Sequence, residues 1–336
     1  MKVAIVGTGN WGKNHVRVLA ELLGEANVIA CDLDRGRLKA IQERHPNVQV
    51  APNLEPVLAD QGVAAVVIAT PAATHFSLAK QALEAGKHVL VEKPLALELA
   101  EAQSLIEFAR ARDRKLMVDH LLEYHPAVER LKELVQEGEL GEIYYLYSQR
   151  LNLGVIRTEE NALWSLGPHD ISVFLYLLGK EPLRVSAHGG AYLQRAQGIK
   201  DVVFLDLEFA DGVLAHAHLS WLDPQKVRRV VLVGSRRMAI FDDMARERLR
   251  IYDKGVEWDD GGLRLRAGGA RPIELPTEEP LRRMAEHFLR SIEGDAAPRS
   301  DGRDGLRVLQ VLAAAQRSLE EGGRTVALAE LAEEAG

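Results

Sequence analysis

The chain predicts an α/β domain with a doubly wound parallel sheet, residues 1–120, followed by an α+β domain with a largely antiparallel open sheet, residues 121–336. Short β-branched runs alternate with helical stretches over the first third of the chain, which is the pattern of a parallel sheet covered on both faces. After His120 longer alternating runs replace that rhythm, as half-buried antiparallel strands require. A length of 336 residues, with 47% hydrophobic and 27% charged, is enough for two well-buried cores.

Val3–Val6 is the first expected strand, and Asn10–Leu23 has helical spacing that ends at Gly24, a C′ glycine. Val28–Cys31 is the next strand, and Arg35–Arg44 a helix stopped by Pro46. Val63–Ala69 is wholly apolar, Thr74 can cap the helix after it, and Gly86 ends that helix. His88–Val91, Glu98–Arg112 and Leu116–Val118 complete the alternation as strand, helix and strand. The second domain begins with a helix over Pro126–Glu137, and a further helix follows His169 up to Gly179. Strands are expected at Ile143–Arg150, Val185–Leu193, Val202–Phe209, Val213–Trp221, Val227–Val233 and Met238–Phe241. Asp211-Gly212 and Gly234-Ser235 read as hairpin turns. The stretches near Gly261-Gly262 and Ser300–Gly305 read as surface loops, and Pro280–Glu293 and Gly305–Glu321 as closing helices.

Composition removes several classes of function. With 42 Lys+Arg against 49 Asp+Glu the formal charge is −7, which provides no footprint for a nucleic-acid backbone. Cys31 is the single cysteine, so no intrachain disulfide forms and a reducing, cytoplasmic setting is expected. The N-terminus does not read as a signal peptide, and Val63–Ala73 is shorter than the roughly 20 residues of a membrane span.

Gly7-Thr8-Gly9-Asn10-Trp11-Gly12 is a G-x-G-x-x-G between a strand and a helix. Gly7 permits the tight turn, Gly9 lets a pyrophosphate approach the backbone, and Gly12 lets helix and strand pack closely. Asp32 ends the second strand, twenty residues after Gly12, where a carboxylate can accept from the adenosine ribose. These features together predict a Rossmann dinucleotide site. Asp32 repels a 2′-phosphate and favours NAD, while Arg35 and Arg37 leave NADP as an alternative. Thr70, Pro71 and His75 follow a strand end on the ligand-facing edge, although His75 also reads as an ordinary first-turn helix residue. Glu92-Lys93-Pro94 lies on the same edge; Lys93 there either binds a substrate hydroxyl or forms a surface ion pair. Beyond the boundary, Arg150, Asn152, Arg157, Asn161, Trp164 and His169-Asp170 form a polar and aromatic segment. His169, at an expected helix start behind Gly167-Pro168, reads either as a general base or as a packing residue. His216 and His218 share a strand face without nearby Cys or a paired carboxylate on that strand, so no metal site is expected.

Taken together, the glycine motif, Ala69-Thr70-Pro71 with His75, Ala85-Gly86-Lys87-His88-Val89 leading to Glu92-Lys93-Pro94, and the His169 helix resemble the glucose–fructose oxidoreductase / inositol dehydrogenase / rhizopine-catabolism family. The resemblance covers essentially the whole chain and implies oxidation or reduction of a secondary alcohol on a sugar, cyclitol or nucleotide sugar. It implies that Lys93 and His169 handle the hydroxyl proton, and that Glu92 and Lys93 border the cofactor. Many members carry an aspartate four residues before that histidine, where this chain has Ser165. The segments Gly9–His15 and Leu163–Asp170 look like members that oxidise the 3-hydroxyl of UDP-N-acetylglucosaminuronate. There Arg150, Asn152, Arg157 and Asn161 would meet a uronate and an acetamido group. Inositol or free-aldose dehydrogenation is the enzymatic alternative, and a non-catalytic NAD-binding regulator the alternative of another class. The open second sheet further implies a homo-dimer or homo-tetramer.

Overall fold

In a computed structural model the described residues are 1–259, 261–294 and 296–334. They divide into two compact units, Met1–Tyr124 with Glu278–Leu309, and His125–Thr277 with Gln310–Gly336.

The first unit runs β1 (Lys2–Val6), α1 (Gly12–Leu23), β2 (Val28–Cys31), α2 (Arg35–Arg44), β3 (Gln49–Ala51), α3 (Glu55–Ala59), β4 (Val63–Ile68), α4 (His75–Glu84), β5 (His88–Val91), α5 (Leu99–Ala111) and β6 (Leu116–Val118). All strand pairs are parallel, in the order β3-β2-β1-β4-β5-β6. The chain leaves β1 in one direction and returns on its other side at β4, so a crevice opens beyond the strand ends between them. Apart from Lys2 and His88 at their starts, β1, β4 and β5 are apolar because helices cover both faces. Asp34 caps α2 through the Gly36 and Arg37 N–H groups. Thr74 does not cap α4; its Oγ1 bonds Thr70 Oγ1 and the Pro71 carbonyl, because a short 3-10 turn precedes the helix.

The second unit contains α6 (Pro126–Gln136), β7 (Ile143–Leu151), α7 (Ala162–Leu178), β8 (Arg184–Gly190), β9 (Val202–Glu208), β10 (Leu214–Ser220), β11 (Val227–Gly234), β12 (Met238–Asp242), β13 (Leu249–Asp259) and β14 (Gly262–Pro272). The C-terminal part of the chain adds α8 (Pro280–Glu293), α9 (Gly302–Glu320), β15 (Val326–Ala327) and α10 (Leu328–Glu334). The nine-stranded sheet has the order β14-β13-β12-β11-β7-β10-β9-β8-β15 and is antiparallel except for the β7/β10 pair. Val203, Leu205 and Leu207 alternate inward with Ala215, Ala217 and Leu219 under α7, leaving Phe204 and Leu214 on an open face.

Three further expectations need correction. The sequence placed all of 121–336 in the second domain, but α8 belongs to the first unit. Its face of Leu281, Met284, Ala285 and Phe288 joins one core with Val3, Ile5, Val16 and Leu19. Ser300–Gly305 is not a surface loop: Ser300 is wholly buried and bonds the Val118 carbonyl and Tyr124, and α9 starts at Gly302. The stretch near Gly261-Gly262 joins two eleven-residue strands, β13 and β14. Both faces of β14 are largely solvent-facing, so no apolar alternation marked it.

Candidate active site

At the end of β1 the glycine loop has the shape its spacing demands. Gly7 has φ +88°, and a Cβ there would sit 2.7 Å from the Ala69 carbonyl oxygen. A Cβ on Gly12 would lie 1.8 Å from the Gly7 carbonyl oxygen. A Cβ on Gly9 would meet only the Arg37 guanidinium at 3.7 Å, so the backbone is open to a ligand there. Asn10 and Trp11 are exposed just before α1, whose first turn has neither a side-chain cap nor an acidic residue. Helix N–H groups left without intrahelical partners in that way suit a pyrophosphate.

Asp32 accepts from Thr8 N at 2.7 Å and Thr8 Oγ1 at 2.9 Å through Oδ2, and from Asp34 N at 2.9 Å through Oδ1. Desolvation opposes its charge, but the hydrogen bonds from Asp34 and Thr8 and the nearby Arg37 bring its pKa below the ordinary value. Arg37 Nη1 stands 3.6 Å from Oδ2. The carboxylate thus anchors the glycine loop and keeps acceptor capacity on Oδ1 for a ribose hydroxyl. Uncapped helix, open Gly9 and ionised Asp32 together fit NAD.

Thr70 lies against Gly7, with its methyl 2.8 Å from the Cβ position there, and Pro71 is exposed after it. His75 takes the form of the packed first-turn residue that the sequence also allowed. It is 1% exposed, with Nδ1 2.7 Å from the Pro94 carbonyl oxygen and Nε2 3.0 Å from that of Thr70. Burial lowers its pKa; the ring ties the loop after β4 to the one after β5. Lys93 is half-buried just past β5. Glu92, also expected at the cofactor, has one carboxylate oxygen 3.4 Å from His15 on α1.

In the second unit α7 starts seven residues before His169, at Ala162. The expectation of a helix-terminal imidazole is therefore wrong: Asn161 caps the helix through the Trp164 N–H, and Pro168 sits inside it. The helix runs through Pro168, whose missing N–H it tolerates. His169 and Ser165, four residues apart, share one half-buried helix face. Asp170 points elsewhere. It accepts from Arg150 Nε at 2.5 Å and Nη2 at 3.4 Å, with both side chains largely buried. Arg150 is thereby occupied by an internal partner. Asn161 Nδ2 and Trp164 Nε1 both donate to Gln316 Oε1, at 2.9 and 3.1 Å. Both polar groups thus have an internal partner, while the side chains are half-buried. Asn152 is half-buried, and Arg157 is exposed 3.7 Å from Glu160. His216 bonds Asp206 at 2.8 Å, and His218 stacks on Phe204 at 4.5 Å.

The sequence reading missed two buried clusters of the first unit. His15 Nε2 lies 3.2 Å from Asp119 and 3.4 Å from Glu92. His120 Nδ1 lies 2.6 Å from Asp304 and 3.4 Å from Glu123. One signal was available: His15 falls on the apolar face of α1 beside Val16, Val18 and Leu19, and buried polar groups need partners.

Residues 1–120 match the oxidoreductase family with an NAD-binding Rossmann fold, and residues 128–240 match the GFO/IDH/MocA C-terminal domain. Over 312 residues the chain is 30% identical to UDP-N-acetylglucosamine 3-dehydrogenase of Acidithiobacillus ferrooxidans, covering 92% of this chain and 94% of the relative. The chain belongs to the GFO/IDH/MocA oxidoreductase family. Its first unit is the NAD-binding Rossmann domain of that family. Inositol 2-dehydrogenase 1 of Saccharopolyspora erythraea is 33% identical over 220 residues, 63% of this chain and 65% of the relative. A structure of the Acidithiobacillus ferrooxidans dehydrogenase superposes with a TM-score of 0.83 at 27% identity, covering 96% of this chain and 98% of that one. No helix among the described residues is long and apolar enough to cross a membrane.

Proposed function

We propose that the protein is an NAD-dependent dehydrogenase of a secondary sugar hydroxyl, with the 3-hydroxyl of a UDP-linked N-acetyl amino sugar as its target. The observation carrying this reading is the similarity to UDP-N-acetylglucosamine 3-dehydrogenase across 92% of the chain, together with Lys93 at the ligand-facing end of β5. A uronate carboxylate is the weaker target, because Arg150, the guanidinium best suited to it, is held by Asp170. NAD supplies the hydride acceptor. In this reading His169 takes the hydroxyl proton, and the Lys93 ammonium donates a hydrogen bond to the oxygen as its charge develops. The test is nicotinamide absorbance with UDP-N-acetylglucosamine, UDP-N-acetylglucosaminuronate, inositol and free aldoses. Turnover only with inositol or an aldose would replace the nucleotide-sugar reading, and none with any of them would favour an NAD-binding regulator.

A second copy of the chain is proposed to cover the open face of the nine-stranded sheet. Tyr145, Phe204 and Leu214 are 44%, 40% and 54% exposed there, surface that a monomer rarely leaves to water as a contiguous patch. Light scattering at micromolar concentration is expected to give a dimer or tetramer, and a monomer would overturn this. The reading also keeps the protein in a reducing cytoplasm, where its one buried thiol, Cys31, stays free.

A further inference from the structure

Three polar side chains from three separate elements meet inside the first unit, behind the Glu92-Lys93-Pro94 turn. His15 comes from α1, Glu92 follows β5 and Asp119 follows β6. The sheet ladder fixes the last two, since Glu92 N donates to the Ile68 carbonyl at 2.9 Å and Asp119 N to that of Val91 at 2.8 Å. The side chains of His15, Glu92 and Asp119 are 1%, 11% and 4% exposed. Two carboxylates so close and so dry cannot both stay ionised without a cation between them. The His15 imidazole occupies that position.

We propose that His15 is a positioning residue: it neutralises Asp119, and so leaves the Glu92 carboxylate ionised to hold the charge of Lys93. This deepens the proposed function and rests on Lys93 acting at the substrate hydroxyl.

The electrostatics support the geometry. Burial disfavours the His15 imidazolium, but its hydrogen bonding to the Asp119 and Glu92 carboxylates, and their charge, outweigh this and raise the pKa to about 9. Glu92 is pushed up to about 7, by desolvation first and the Asp119 charge second, against His15 and Lys93, which lower it. The charged groups acting on the cluster are therefore Asp119, His15 and Lys93. His75, on α4, feels Lys93 as well. Glu92 is ionised above its pKa, so the arrangement is lost as pH falls through about 7. Removing His15 should move that midpoint up; removing the Asp119 charge should move it down.

Carboxyl-carbon NMR of the NAD-saturated protein, with His15→Gln and Asp119→Asn, reads these opposite shifts without any substrate. With UDP-N-acetylglucosamine as the probe, His15→Gln should lower kcat roughly 10–100-fold, the scale of a misplaced catalytic group, and leave NAD affinity near wild type. The acid limb of its kcat–pH profile should move to higher pH, and that of Asp119→Asn to lower pH. The double variant should recover much of the lost kcat, since the second charge no longer needs the imidazole. If both single variants move the Glu92 midpoint the same way, or not at all, the inference is wrong. It also fails if His15→Gln loses only thermal stability with an unmoved profile. Full activity in Lys93→Ala with opposite Glu92 shifts intact would sink the Lys93 reading instead. Asp119→Asn keeps the imidazole, so its downward shift remains a test should His15→Gln fail to fold.

Discussion

The two units differ in what places their candidate residues. In the first, backbone does the placing. Gly7 and Gly12 have no room for a Cβ, and Glu92 and Asp119 continue the hydrogen-bond ladder of the sheet. In the second, side-chain affinity does it. Arg150 goes to Asp170, and Asn161 and Trp164 converge on Gln316. Positions fixed by backbone sterics follow from spacing in the sequence, whereas polar side chains on a helix or strand go to whichever partner folding brings near. A polar residue chosen for its chemistry alone is as often holding the scaffold as facing a ligand.

The sharpest test sets one residue of each unit against the other. Lys93→Ala and His169→Ala should each lower kcat by roughly 10²–10⁴, the worth of a positioned acid or base, with NAD affinity near wild type. Single-turnover hydride transfer and cofactor titration separate the two effects. Full activity in His169→Ala alone would confine the chemistry to the first unit. A second test asks whether α8 belongs to the cofactor-binding core. Phe288 is wholly buried in it, so Phe288→Ala should cost about 3–5 kcal/mol. Denaturant unfolding followed through NAD binding reports this, and an unmoved NAD-linked transition would detach α8 from that core. The smallest expected effect concerns the cofactor. Asp32 is ionised at neutral pH, as an ordinary carboxylate would be and with a pKa lowered further, so NADP should bind about tenfold more weakly than NAD, near 1.4 kcal/mol. Calorimetry of both cofactors decides it, and equal affinity would mean that Arg37 has turned to the phosphate.

Much of the first unit was legible because its signals are local. The Arg35–Arg44 helix has the limits its pattern gave, and the six parallel strands include every one expected. Besides the short 3-10 turns, β3 and α3 were not anticipated, as neither is long enough to show a period. The β13–β14 hairpin was hidden for the opposite reason. Val256, Trp258, Leu263 and Leu265 are all exposed, and the Arg and Gly between them broke any pattern. Apart from Glu123, three residues from His120, the buried clusters around His15 and His120 depend on pairings between residues 77 to 184 positions apart, which no window of sequence contains. His75 stayed open between two readings because a first-turn position says nothing about the two carbonyls waiting for it.

The return of the chain at Glu278–Leu309 to the first unit bears on the order of events at the ribosome. Strands β1 to β6 are all made before residue 120, yet the core they form also needs Met284 and Phe288. At about 5–20 residues per second, the 164 residues from Tyr124 to Phe288 take roughly 8–33 s to add. Throughout that interval the nascent first unit has an open apolar side, and the second unit's strands β7 to β14 emerge beside it. That surface has to be kept from pairing with anything else until α8 supplies its cover.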